Sequence, residues 1–227
     1  MSEESESRSG EDPTDYGADG WEDPVTGAVP KSELPDEIVE EVPHWTEDPY
    51  FDRVSDRLMY NYTLERDHRL RGERWDLYGE MRVLNQKQFF HPALSFAHHE
   101  SYEHLFVRRV DRVDTGTVGD LVALGHDLAD DRVDPHEEHY STEFTFALVA
   151  PAIPDAVREQ VAGLDERTLL KYGFNGHYEV NVVVVAPSRE EIVANEAADV
   201  TEAFTTWESI EREEPGLLGL LARRFQL

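Results

Sequence analysis

The densest set of titratable side chains lies between His91 and His104, where His98, His99, Glu100, Glu103 and His104 fall almost consecutively. A second run, His136-Glu137-Glu138-His139, follows further along the chain. Imidazole and carboxylate are the ligands that divalent zinc, iron or manganese accept. His98, His99, Glu100, His104, His136 and His139 are therefore the candidate metal ligands, and the chemistry they would support is metal-assisted hydrolysis. The spacing argues the other way. A helical zinc-protease motif needs two histidines four residues apart, with a glutamate directly after the first. Here Glu103 occupies the second-histidine position after His99-Glu100, and His104 comes one residue late. On a helix, His99/Glu103 and Glu100/His104 would be ordinary i,i+4 pairs on neighbouring faces. The expectation is a chain without a cofactor, the alternative being a divalent metal such as zinc held by those six residues.

Other catalytic patterns are incomplete. Nucleases with a mixed sheet pair a strand carboxylate with an acid-x-Lys element around a metal. The residues two before Lys87 and Lys171 are Asn85 and Leu169, which leaves Glu80 as the nearest strand carboxylate. Asp114-Thr-Gly116-Thr-Val-Gly119-Asp120 has the position of an anion-binding turn but lacks the P-loop lysine, so Thr117 with Asp120 reads as a helix cap. Ser95, Ser101 and Ser188 have no nucleophile-elbow context. The chain has no cysteine, which rules out disulfides, thiolate nucleophiles and zinc-thiolate sites.

Charge says more about surroundings than about reaction. The 227 residues carry 49 Asp and Glu against 21 Lys and Arg, a formal charge of −28, and only three of those bases are lysine. Residues 1–48 hold 16 acids and two bases, which leaves 33 acids and 19 bases, a net of −14, on the rest. Self-repulsion at that density opposes compaction unless salt screens it, and at molar ionic strength the Debye length falls to ~3 Å. Acidic, lysine-poor composition resembles that of cytosolic proteins from salt-accumulating halophiles. Phosphate neutralisation needs clustered Lys and Arg, so the composition argues against a nucleic-acid partner. The polar N-terminus has no apolar signal-peptide core, and no run approaches the ~20 apolar residues of a membrane helix. These features predict a cytoplasmic protein with no transmembrane segment.

Whatever the histidines do, the elements around them must hold them. Residues 1–35 are rich in Glu, Ser, Asp, Gly and Pro and read as a disordered acidic tail. Asp48-Pro49 opens a helix whose stripe, Phe51, Val54, Leu58 and Tyr62, runs towards Gly72. The period then changes to two, with Trp75, Leu77, Met81 and Val83 on one face of a strand. Further strands are expected over Glu103–Val113 and through Phe144, Phe146 and Leu148, with helices from Thr117 and from Pro154. Asn175-Gly176 between two strand patterns predicts a tight hairpin. Ser188-Arg-Glu-Glu191 reads as a capping box for a long helix through Val193, Ala197, Val200, Phe204 and Trp207.

The whole reads as a single α+β domain over 36–214, with a mixed, mainly antiparallel sheet of about five strands and helices packed on it. Residues 215–227, with Leu217, Leu218, Leu220 and Leu221 ahead of Arg223-Arg224, form an apolar and basic segment expected to dock on that domain. With no complete catalytic motif, the sequence points to a protein acting through a protein or small-molecule partner of unknown identity, in an unknown oligomeric state.

Overall fold

The computed structural model describes residues 43–87 and 97–208, and only the backbone of residues 84–87, 97 and 98. Both the acidic segment 1–35 and the apolar segment 215–227 lie outside the described residues. The chain runs α1 (Pro49–Leu58), β1 (Thr63–Leu70), β2 (Glu73–Lys87), β3 (Ala97–Arg109), α2 (Thr115–Arg132), β4 (His139–Val149), α3 (Asp155–Ala162), β5 (Arg167–Leu169), β6 (His177–Ala186), β7 (Glu191–Ala194) and α4 (Thr201–Phe204). The strands form one seven-stranded sheet in the order β1-β2-β3-β4-β6-β5, with β7 also pairing β6. The α+β class holds, with two more strands than the sequence suggests. The β3–β4 and β4–β6 pairings are parallel and the other four antiparallel. Parallel neighbours need a crossover, and α2 supplies it between β3 and β4. No helix among the described residues is long and apolar enough to cross a membrane.

Alternation in the central strands builds two cores. Phe106, Phe144, Phe146, Leu148, Val180, Val182 and Val184 face α2 and α3, meeting Val118, Leu121, Leu128, Val157 and Val161. Leu77, Leu105, Val107, Ala147, Val149, Val183 and Val185 face α1, meeting Phe51, Val54 and Leu58, with Phe204 of α4 beside them. Strands buried on both faces explain the near-continuous apolar run Val182–Ala186. Asp48 caps α1 as expected, its side chain accepting from the Tyr50 and Phe51 amides. Asp114, rather than Thr117 with Asp120, caps α2, and its carboxylate accepts from the Thr117 amide at 2.8 Å.

Four expectations are corrected. First, the helical stripe from Phe51 ends at Leu58, and Thr63–Leu70 is a strand. Among the described residues the two-residue hairpin is Arg71-Gly72, with φ of 49° and 88°, as a primed turn requires. Arg71 carries a β-carbon in that strained region and is anchored to α2 by bonds to Asp127 and Asp131, each 2.6 Å. Second, Asn175-Gly176 is not a two-residue turn, because the chain between β5 and β6 spans residues 170–176. Gly176 is needed for close approach: a β-carbon there would lie 2.0 Å from the Tyr140 carbonyl oxygen. Third, the long helix from Ser188 is absent; Glu190 turns at φ 55° and Glu191–Ala194 forms β7 on the free edge of β6. Fourth, Trp75 and Leu77 lie in opposite cores, where the β1–β2 pairing skips Asp67 at φ 59°.

Candidate functional site

The histidine cluster lies in β3, and a strand turns successive side chains to opposite faces. Glu100 and His104 therefore share the α2 face, His99 points to the α1 face, and His98 has the parity of Glu100. His104 stacks on Phe144 and bonds Tyr78 Oη through Nδ1 at 2.8 Å. Burial, reinforced by the Arg132 charge, pushes its pKa down to about 4, so it is neutral at physiological pH. Glu100 pairs with Arg82 at 3.0 Å and accepts a short bond from Tyr102. His139 is buried, with Nδ1 donating to the Asn175 carbonyl at 2.7 Å and Nε2 bonded to Thr142 Oγ1 at 2.8 Å. His136 accepts from the Glu138 amide at 3.2 Å and meets the His139 ring edge-on, 6.2 Å between centroids. His99 meets only the edge of Tyr140 among these contacts. Glu100, His104, His136 and His139 thus have bonding partners of their own, and the alternation of β3 turns His99 to the face opposite Glu100 and His104. Among the described residues, no three His, Asp or Glu side chains are placed to hold one metal ion.

The structure instead brings together residues that are far apart in sequence. Parallel register aligns Glu103 of β3, Glu143 of β4 and Glu179 of β6 side by side on the α1 face. Below them in the same strands lie Ser101, Ser141 and His177; above them lie Leu105, Thr145 and Asn181, and then the apolar core begins. This half of the face is polar in strands that are otherwise apolar. Tyr62, in the turn before β1, lies over it and donates Oη–H to Glu103 Oε2 at 2.5 Å. Gly79 makes room for that ring, since a β-carbon there would sit 3.1 Å from Tyr62 Cδ1. Asp199, in the turn before α4, adds a fourth carboxylate whose charge acts on all three glutamates.

Like charges held half-buried cannot all ionise easily. Burial, then Glu103 and Glu179, push Glu143 up to about 8, so it carries a proton at neutral pH. Burial raises Glu103 and Glu179 as well. At the β6 end the row meets Arg167, whose Nε lies 3.3 Å from Glu179 Oε1. Arg167 also donates to His177 Nδ1, so the proton of neutral His177 is on Nε2, which lies 3.3 Å from Glu179 Oε1. Beyond Glu179 a pocket of about 390 Å³ opens between β5 and β7, lined by Asp165, Glu166, Arg167, Asn181, Asn195 and Glu196 among others.

Residues 46–206 match the profile of a domain of unknown function (DUF8052). The chain belongs to the DUF8052 family. No curated protein and no solved structure matches it. The DUF8052 span takes in every element from α1 to α4, and with them Tyr62, the glutamate row and the pocket, so the site is part of the family domain.

Of this site, only Glu103 stands in the cluster that the sequence singles out. Glu143, Glu179 and Asn181 did leave a signal: polar residues of one parity inside strands whose other parity is Phe144, Phe146, Val180 and Val182. That pattern marks a polar half-face. It does not reveal that the three strands align.

Proposed function

We propose that this domain binds a small, positively charged organic ligand at the glutamate row. The supporting observation is the register of Glu103, Glu143 and Glu179 on one half-buried face. Strands lie about 4.8 Å apart, so the outer two glutamates start roughly 10 Å from each other. A single metal ion needs its oxygens within about 2.0–2.6 Å, whereas an ammonium group on a carbon chain can lie along such a row. Burial also suits binding in salt, because exposed ion pairs are screened at high ionic strength and half-buried ones much less. A cation arriving at the row would favour ionisation of Glu143 and release its proton. The acidic, lysine-poor composition fits a salt-rich, cytoplasmic setting for this binding.

Isothermal titration of the protein with n-butylamine at neutral pH tests the reading. Binding is expected, with proton release seen as a dependence of the heat on buffer ionisation enthalpy, and Glu143→Gln together with Glu103→Gln should weaken it at least tenfold. Absence of binding, or binding unaffected by the two substitutions, would overturn it. Metal analysis of the purified protein covers the alternative of a hydrolase using His98, His99, Glu100 and His104: a stoichiometric metal lost on replacing His99 and His104 would favour that reading instead.

A further inference from the structure

The edge of β6 is covered in two pieces. β5 pairs its first residues, His177–Glu179, and β7 pairs Val183–Ala186. Between them Val180 and Val182 have no strand partner on that side, and their amides are met singly. Val180 donates to the Glu166 carbonyl at 3.0 Å, and Val182 donates to Asn195 Oδ1 at 2.9 Å. A backbone amide can only donate, so the Asn195 side chain must present its oxygen there. Its Nδ2 is then fixed on the other side, where it donates to Asn181 Oδ1 at 2.8 Å. That bond fixes Asn181 in turn and leaves Asn181 Nδ2 as the end of the chain of donors. Asn181 is 1% exposed, and its Nδ2 has no partner among the described residues. Buried amide donors are nearly always paired, and this one belongs to a residue lining the pocket that also holds Glu179.

We propose that the ligand carries an acceptor oxygen, a carbonyl or carboxylate, next to its cationic group, and that Asn181 Nδ2 reads this oxygen while Glu179 takes the cation. This rests on the glutamate-row reading and adds the ligand's second group. Glu179 and Asn181 are two residues apart on one face, roughly 7 Å along the strand. Arg167 and His177 both use Oε1 of Glu179, which leaves Oε2 for a cation. The ligand class that fits is a primary amine with a carbonyl oxygen about five bonds from the nitrogen.

The test compares γ-aminobutyramide with n-butylamine, which has the same chain and no carbonyl, by isothermal titration on the full chain. The wild type is expected to bind the amide at least about tenfold more tightly, the gain of one hydrogen bond to a buried, otherwise unpaired donor. Asn181→Asp keeps an acceptor for Asn195 and replaces the free donor with an oxygen; it should abolish the amide's advantage while n-butylamine still binds. Circular dichroism confirms that the variant is folded, and the wild-type comparison stands without it. Equal affinities in the wild type, or an advantage that survives in Asn181→Asp, would overturn the inference and leave the glutamate row as a simple cation site. If neither compound binds, both readings fail.

Discussion

Glu143 stands between Glu103 and Glu179, and its raised pKa has a consequence for stability. In the unfolded chain its carboxyl titrates near 4.5, and in the fold near 8, so between those values the folded state holds a proton that the unfolded state has lost. Stability contributed by this residue therefore falls as pH rises through that window, by up to ~1.4 kcal/mol per pH unit, and levels off above it. His104 works in the opposite sense. Its depressed pKa makes the unfolded state the better proton binder between 6.5 and about 4, so its contribution is lost as pH falls through that range. Glu143→Gln should raise the thermal midpoint relative to wild type by an amount that is small near pH 5 and grows up to about pH 8. Melting curves across that range check this, and a difference independent of pH would show that Glu143 is ionised in the fold. The histidines that dominate the sequence are quieter, since His104 and His139 are packed and bonded within the sheet.

At the scale of elements, α2 reaches the sheet through Gly125. A β-carbon at that position would fall 2.5 and 2.7 Å from the two methyl carbons of Val180, a residue with no exposed surface. Valine is stiff about its first side-chain torsion and cannot swing clear, so either the helix or the strand must shift. Gly125→Ala is expected to destabilise the protein by ~1–3 kcal/mol despite alanine's better helix propensity. Adding Val180→Ala should recover part of that loss, a coupling that a double-mutant cycle in urea measures. Strictly additive effects would place the helix farther from β6 than the contact distances indicate. The helix starts at Asp48 and Pro154 and the alternation of β4 were readable because caps and periodicity are local. Strands β1 and β7 were not, because Thr63–Leu70 and Glu191–Ala194 gain their extended form from pairing with β2 and β6, and short segments with mixed apolar spacing fit either period.

For the molecule as a whole, the charge of −28 is a source of self-repulsion that salt would screen. Repulsion is strongest where acids cluster, and the described surface offsets it with arginine pairs such as Arg71 with Asp127 and Asp131, and Arg109 with Asp48. Exposed pairs of this kind contribute little each, so screening by salt is expected to be the larger effect. Circular dichroism across a potassium chloride series should show structure that is lost at low salt and regained in molar salt. A chain equally stable at about 0.1 M and about 3 M salt would remove the case for adaptation to high ionic strength.

The sequence by itself determined the α+β class, the absence of thiol chemistry, the acidic charge balance and the starts of α1 and α3, because composition, capping and periodicity act over a few residues. Only the tertiary structure decided where the candidate site lies. Glu103, Glu143 and Glu179 are each forty or thirty-six residues from the next along the chain and become neighbours through parallel register across three strands. Asn181 becomes a donor without a partner among the described residues only because β5 and β7 leave a gap that Asn195 closes. Register depends on which strands pair and with what offset, and these are properties of the closed sheet that local sequence cannot encode.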